Sequence, residues 1–190
     1  MTSESPADPA FDTIRSSRLR ALLRYWAEKS AGRAMPLREQ IEPLEIPTLL
    51  SIAMLADVAP NGPRMRLLGS EATEAYGRET RGQPVVDIQF GDFTVPWLSA
   101  FFSVIKSAKP AFAAGTYRRG SELCRIETVL MPLTEDGSSV SQIFGGLSIR
   151  QMLSDRTTGQ NSPRDFSIPF AGVASDGMDS RQGPAIRDYR

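Results

Sequence analysis

Arg125 and Glu127 stand two residues apart in a run, 123–133, whose composition suits a β-strand, so both side chains leave the chain on the same side of a sheet. There they pair across the sheet or present opposite charges to a partner, and on an inward face they become a pair that orients a ligand. Tyr117, Arg118 and Arg119 precede Gly120 as a cationic exit from another expected strand. The paired donors of a guanidinium suit a carboxylate or a phosphate, and solvent exposure accounts for these residues equally well. Acid–base catalysis would need a carboxylate raised by an apolar pocket, with Asp57 or Glu127 as base and Tyr76 or Tyr117 as acid. No constellation of polar groups accompanies those four residues, so the sequence reads as non-catalytic, with a small isomerase or hydrolase as the alternative.

Missing residue types exclude more than the present ones suggest. The 190 residues contain no histidine, which removes Ser-His-Asp and Cys-His nucleophiles, the imidazole proton shuttle and every zinc site that needs His. Cys124 is the single cysteine; it forms no internal disulfide, and the polar, acidic residues 1–10 lack the apolar run of a secretory signal. A reducing cytoplasm is the expected location. No stretch approaches the roughly 18 apolar residues of a membrane span, the apolar run 49–59 being too short. With 22 Lys plus Arg against 22 Asp plus Glu, no net field draws the chain to nucleic acid.

These residues must be positioned by a small set of elements. Leu19, Leu22, Leu23 and Trp26 fall at i, i+3, i+4 and i+7, one face of a helix beginning near Asp12. Arg15, Arg18, Arg20 and Arg24 share the rest of its circumference, and Gly32 and Pro36 stop it. The apolar stripe predicts a core contact, or a dimer or partner seam; phosphate contact by the arginines is the alternative, without a recognised reading helix. Pro36, Pro43 and Pro47 limit the next segment to short helical turns.

Alternation over 51–58 predicts a strand, Asn61-Gly62 a tight turn and 64–68 the returning strand. A short helix follows with Ser70 as its cap and Gly77 as its stop. After a loop-rich stretch, Thr94 caps a longer helix whose broad apolar face holds Trp97, Phe101, Val104 and Ala108. A strand through Phe112, Ala114 and Thr116 then leads to strands at 123–133 and 140–150, joined at Asp136-Gly137. The expected division is a flexible leader at 1–11, an N-terminal helical extension at 12–50, an α+β domain at 51–150 and a disordered tail at 151–190. The domain is a five-stranded antiparallel sheet with helices on one face, preceded by an amphipathic helix.

Particular words accompany that order: Leu23-Arg24-Tyr25-Trp26, Gly32-Arg33-Ala34-Met35-Pro36 and Ile46-Pro47-Thr48-Leu49-Leu50. Further along come Arg66-Leu67-Leu68-Gly69-Ser70-Glu71, Tyr76-Gly77-Arg78-Glu79 and Met131-Pro132-Leu133. Together, over roughly 15–150, they resemble a PAS domain of the short stand-alone kind found in bacteria. The resemblance implies a cytoplasmic sensory or regulatory module, often a homodimer, that binds a small ligand or a protein partner and performs no catalysis. With no room for an output domain in this length, the signal is expected to leave through a noncovalent partner. It also implies a cavity beneath the helical face, with Trp97, Phe101, Phe112 and Ile126 as its lining; simple core filling is the competing reading for each. The family's cofactors find little support. Histidine-ligated haem is excluded, and Met or Cys ligation has no motif. Photoactive flavin chemistry uses an Asn-Cys-Arg word in a short helix, whereas Cys124 follows Leu123 in an expected strand and reads as a buried inert thiol. No metal site is expected, and the ligand's identity is left open.

Overall fold

Ser16 sets the start of the first helix. Its side chain accepts from Leu19 N at 3.4 Å, and its own N–H is taken by the Glu127 carboxylate at 2.9 Å. That N–H cannot also close a helical turn, so α1 occupies Ser17–Ser30 and starts later than the arginine pattern suggests. It ends where Ala31 takes a left-handed φ of 48° and donates to Glu28 O, and Gly32 continues the reversal at φ 82°. The computed structural model describes residues 13–119 and 122–152, apart from the side chains of Tyr117 and Arg119. The leader expected at 1–11 and nearly all of the tail expected at 151–190 lie outside the described residues.

Three single turns of 3-10 helix, Arg38–Gln40, Pro43–Glu45 and Pro47–Leu49, follow the prolines. The strands are β1 Ala53–Ala59, β2 Gly62–Leu68, β3 Ala111–Arg119, β4 Glu122–Leu133 and β5 Gln142–Gln151. They form one antiparallel sheet in the order β2-β1-β5-β4-β3. In the first hairpin Ala59 pairs with Gly62, so the turn residues are Pro60 and Asn61 rather than Asn61 and Gly62. Proline fixes a negative φ at the first turn position, and the positive φ, 99°, falls on Gly62 alone.

Helices α2 (Ser70–Tyr76) and α3 (Thr94–Ser107) also begin one residue before expectation. The cap of α2 is Gly69, where a Cβ would run into the Ser51 carbonyl; Ser70 is already helical. Thr94 likewise opens α3, its hydroxyl accepting from Phe90 N at 2.8 Å.

Alternation along the strands gives the sheet two apolar faces. The inner face, with Ile126 and Leu130 of β4 and Ile143 and Leu147 of β5, packs with Trp97, Phe101 and Val104 of α3 and Ala72 of α2. The outer face, with Val129, Met131 and Leu133 of β4 and Phe144 of β5, packs with Leu19, Leu22 and Trp26 of α1. Full burial of Leu19 and Leu22 stabilises this docking by about 2 kcal/mol each. Gly146 makes it close: a Cβ there would meet Leu22 Cδ1 at 2.5 Å and Leu19 Cδ2 at 2.8 Å.

The far end of α1 is tied to the Pro43–Glu45 turn. Tyr25 donates its hydroxyl hydrogen to Glu45 Oε2 and accepts from Glu42 N, both at 2.8 Å, while Lys29 reaches Glu45 at 2.6 Å. Burial foremost, with Glu45 adding to it, pushes the Tyr25 phenol up to about 12. Being raised from 10.0, this group contributes stability in full below pH 10, and the contribution is lost as pH rises through the folded value. An ultraviolet titration should show a tyrosinate step near pH 12 that Tyr25→Phe removes; its persistence in that variant would refute the assignment.

Candidate functional site in the inner aromatic core

The inner core is built around the first turns of α3. Trp97 and Phe101 lie one turn apart and meet edge to face at 4.8 Å between ring centroids. Phe90, which precedes the helix, meets Trp97 at 5.2 Å and Phe93 at 6.5 Å, both edge to face. Tyr76, at the end of α2, closes on Phe90 at 5.4 Å. The four residues Trp97, Phe101, Phe90 and Phe93 are fully buried, each pairing contributing about 0.5–1.5 kcal/mol beyond its burial.

One atom in this cluster is out of keeping with it. Trp97 Nε1 is buried and has no hydrogen-bond partner among the described residues. The other tryptophan solves the same problem: Trp26 donates its Nε1–H to Pro132 O at 2.9 Å. An unmet buried donor costs about 1–3 kcal/mol, so Trp97 presents an N–H that any acceptor reaching it would satisfy. Thr80 Oγ1 and Gln142 Oε1 are likewise buried without partners.

Of the residues singled out from the sequence, Trp97, Phe101 and Ile126 come together in this inner core. Phe112 does not: it pairs with Val129 on the outer face and packs with α1. Arg125 and Glu127 also face outward. Arg125 Nε donates to Glu127 Oε1 at 2.8 Å, and the carboxylate, 3% exposed, holds the Ser16 N–H that starts α1. Their charges are spent on anchoring a helix rather than on the inner core. The side chain of Tyr117 lies outside the described residues. The stripe of Leu19, Leu22 and Trp26 is buried by this chain's own sheet, with Leu23 half-buried beside it.

Of the residues considered for acid–base chemistry, Asp57, Glu127 and Tyr76 are each engaged by a neighbouring group. Asp57 accepts from Gln142 Nε2 at 2.6 Å and from Arg66 Nε at 2.9 Å. Arg78 donates to the Tyr76 hydroxyl at 2.6 Å and stands 5.0 Å over its ring. Cys124 is a buried free thiol on β4.

Near the start of α1, Arg18 binds Glu71 of α2 at 2.6 Å and also donates to Ser51 Oγ. Arg18 foremost, opposed in part by burial, holds the Glu71 carboxyl below its ordinary value. Two acids, Glu127 and Glu71, thus fasten one helix end to the sheet and to α2. Neither contact has a local signal in the sequence, since Ser16 and Glu127 are 111 residues apart.

A sheet with α2 and α3 on one face and α1 on the other is the setting in which kinship can be judged. The sequence model of the PAS domain family matches residues 14–148. The chain belongs to the PAS domain family. The match takes in α1 as well as the sheet, and it places the chain among sensory and regulatory signalling modules in general. Among solved structures, the PAS domain from Bordetella pertussis BvgS is similar at 15% identity, over 56% of this chain and 84% of that one, with a TM-score of 0.37. No curated protein matches the chain. Among the described residues, no helix of this PAS domain is long and apolar enough to cross a membrane.

Proposed function

We propose that this PAS domain is a non-catalytic cytoplasmic regulator that holds a small ligand against its inner aromatic core and signals through a noncovalent protein partner, as a homodimer. The observation that carries the reading is the buried Trp97 Nε1 without a hydrogen-bond partner among the described residues. A ligand with an apolar body and a carbonyl, carboxylate or hydroxyl oxygen would stack among Trp97, Phe101 and Phe90 and accept from that indole. The gain on binding would then include the desolvation cost that the free protein carries. The outer face and α1 lie across the sheet from that core, where a shift of β4 or β5 reaches them through Val129, Gly146 and Glu127.

Native mass spectrometry of freshly purified protein, compared with the same sample denatured, tests this directly. The native mass should exceed a whole number of chains, and the excess should disappear in Trp97→Phe. That variant loses no hydrogen bond to the described residues and keeps most of the buried ring, so its melting temperature should fall far less than that of Trp97→Ala. A bare native mass, or an excess that survives Trp97→Phe unchanged, would overturn the ligand site.

A further inference from the structure

Helix α1 covers only part of the outer sheet face. Beyond Glu127, the outward positions are Thr116 and Arg118 on β3, Arg125 and Leu123 on β4 and Arg150 on β5. Register sets Thr116 beside Arg125 and Arg125 beside Arg150 in one row, and Arg118 beside Leu123 in the next. Met152 continues from β5 and donates its N–H to Leu123 O at 2.9 Å, which brings it opposite Leu123. Leu123 is 37% exposed and Met152 45%. Arg118 and Arg150 are exposed, and neither has an ion-pair partner among the described residues. Glu71, which feels the charge of Arg150, is already paired with Arg18.

We propose that this open end of the sheet docks an acidic segment of a partner protein that carries large apolar side chains. Leucine and methionine offer a small adaptable apolar seat, and guanidinium groups around it suit carboxylates through paired donors. Charge decides between occupants. A second copy seated on the same face about a two-fold axis would bring its arginine cluster against its mate's, with like charges opposed. Nucleic acid finds no exposed aromatic side chain among these six residues on which a base could stack. This inference gives the partner of the proposed regulator its chemistry and rests on that reading only for there being a partner.

Fluorescence anisotropy of a fluorescein-labelled peptide, Asp-Leu-Glu-Phe-Asp-Leu-Glu-Asp, titrated with the full chain is the test. Saturable binding should appear at low salt and weaken as salt rises to about 0.5 M. The double substitution Arg118→Glu with Arg150→Glu should weaken it by about tenfold or more, and Leu123→Ser should weaken it at unchanged net charge. Both variants alter exposed side chains, and unchanged circular dichroism would verify their fold. Trp97→Phe should leave peptide affinity unaltered, which separates failure of this surface from failure of the ligand site. Absence of saturable binding would overturn the proposal, as would equal affinity in the double variant or equal affinity for a peptide with Ser in place of Leu and Phe. The double variant changing the native mass from dimer to monomer would also overturn it, by giving the face to a second copy.

Discussion

Trp97→Ala should lower the melting temperature of the protein by roughly 6–20 °C, read by circular dichroism or calorimetry. Trp97 is fully buried and touches Phe90 and Phe101 edge to face. Truncating a buried tryptophan costs about 3–5 kcal/mol through lost transfer and the cavity left behind, and in a domain of this size each kcal/mol is worth roughly 2–4 °C. No hydrogen bond to the described residues enters that sum. Packing is therefore the whole effect. The contrast with Trp97→Phe then weighs the ring's two roles: alanine removes nearly the whole buried volume, while phenylalanine keeps most of it and removes the donor together with the smaller part of the ring. A loss below about 1 kcal/mol for Trp97→Ala would refute the aromatic cluster as a packed core.

Gly145→Ala should cost about 3 kcal/mol by equilibrium denaturation, although it adds a single methyl group. Gly145 lies at the centre of the sheet, paired with Leu130 on one side and Met54 on the other. A Cβ at this position would collide with the carbonyl oxygen of Val129, and a backbone atom held in two ladders has no rotamer by which to move aside. Alanine also makes the unfolded chain less flexible, which favours folding by about 0.4–1 kcal/mol; the steric cost is larger and decides the sign. Gly146→Ala meets the ends of two leucine side chains and a carbonyl at 3.3 Å instead, so it should disturb the seat of α1 rather than the sheet. Equal stability of Gly145→Ala and wild type would show that β4 and β5 can separate without loss.

Local chemistry made much of this fold legible. Asp136-Gly137 marked its turn because Gly137 takes φ 81° and the Asp136 carboxylate accepts from Ser138 N at 2.8 Å and Ser139 N at 3.0 Å, interactions within three residues. Those amides foremost, with the Thr134 and Ser138 hydroxyls, hold that carboxyl below its ordinary value. The apolar stripe of α1 and the broad face of α3 were also visible, since helical spacing is a property of the chain itself. The ordered words of the PAS resemblance agree with the family match over 14–148.

Assigning those faces to partners was beyond the sequence. Alternation divides β4 into Ile126 and Leu130 on one side and Glu127, Val129 and Met131 on the other, but it cannot say which set meets α3. That choice follows from register: Phe112 pairs with Val129, whereas Gly115 pairs with Ile126, and a slip of one residue would exchange the faces. Without that register, Phe112 reads as a companion of Trp97, whereas it packs on the outer face. Glu127 shows the same limit from the polar side, because its role depends on an amide 111 residues away.

The sequence by itself determined the order of elements, the Asp136-Gly137 turn, the family and the absence of histidine chemistry, because each depends on residue types or on spacing within a few turns. Only the tertiary structure decided that α1 is seated on the outer face, that Arg125 and Glu127 fasten it there, and that one of two tryptophans keeps an unmet donor. Those outcomes depend on which distant groups the sheet brings within hydrogen-bond reach, a relation that neither composition nor periodicity carries.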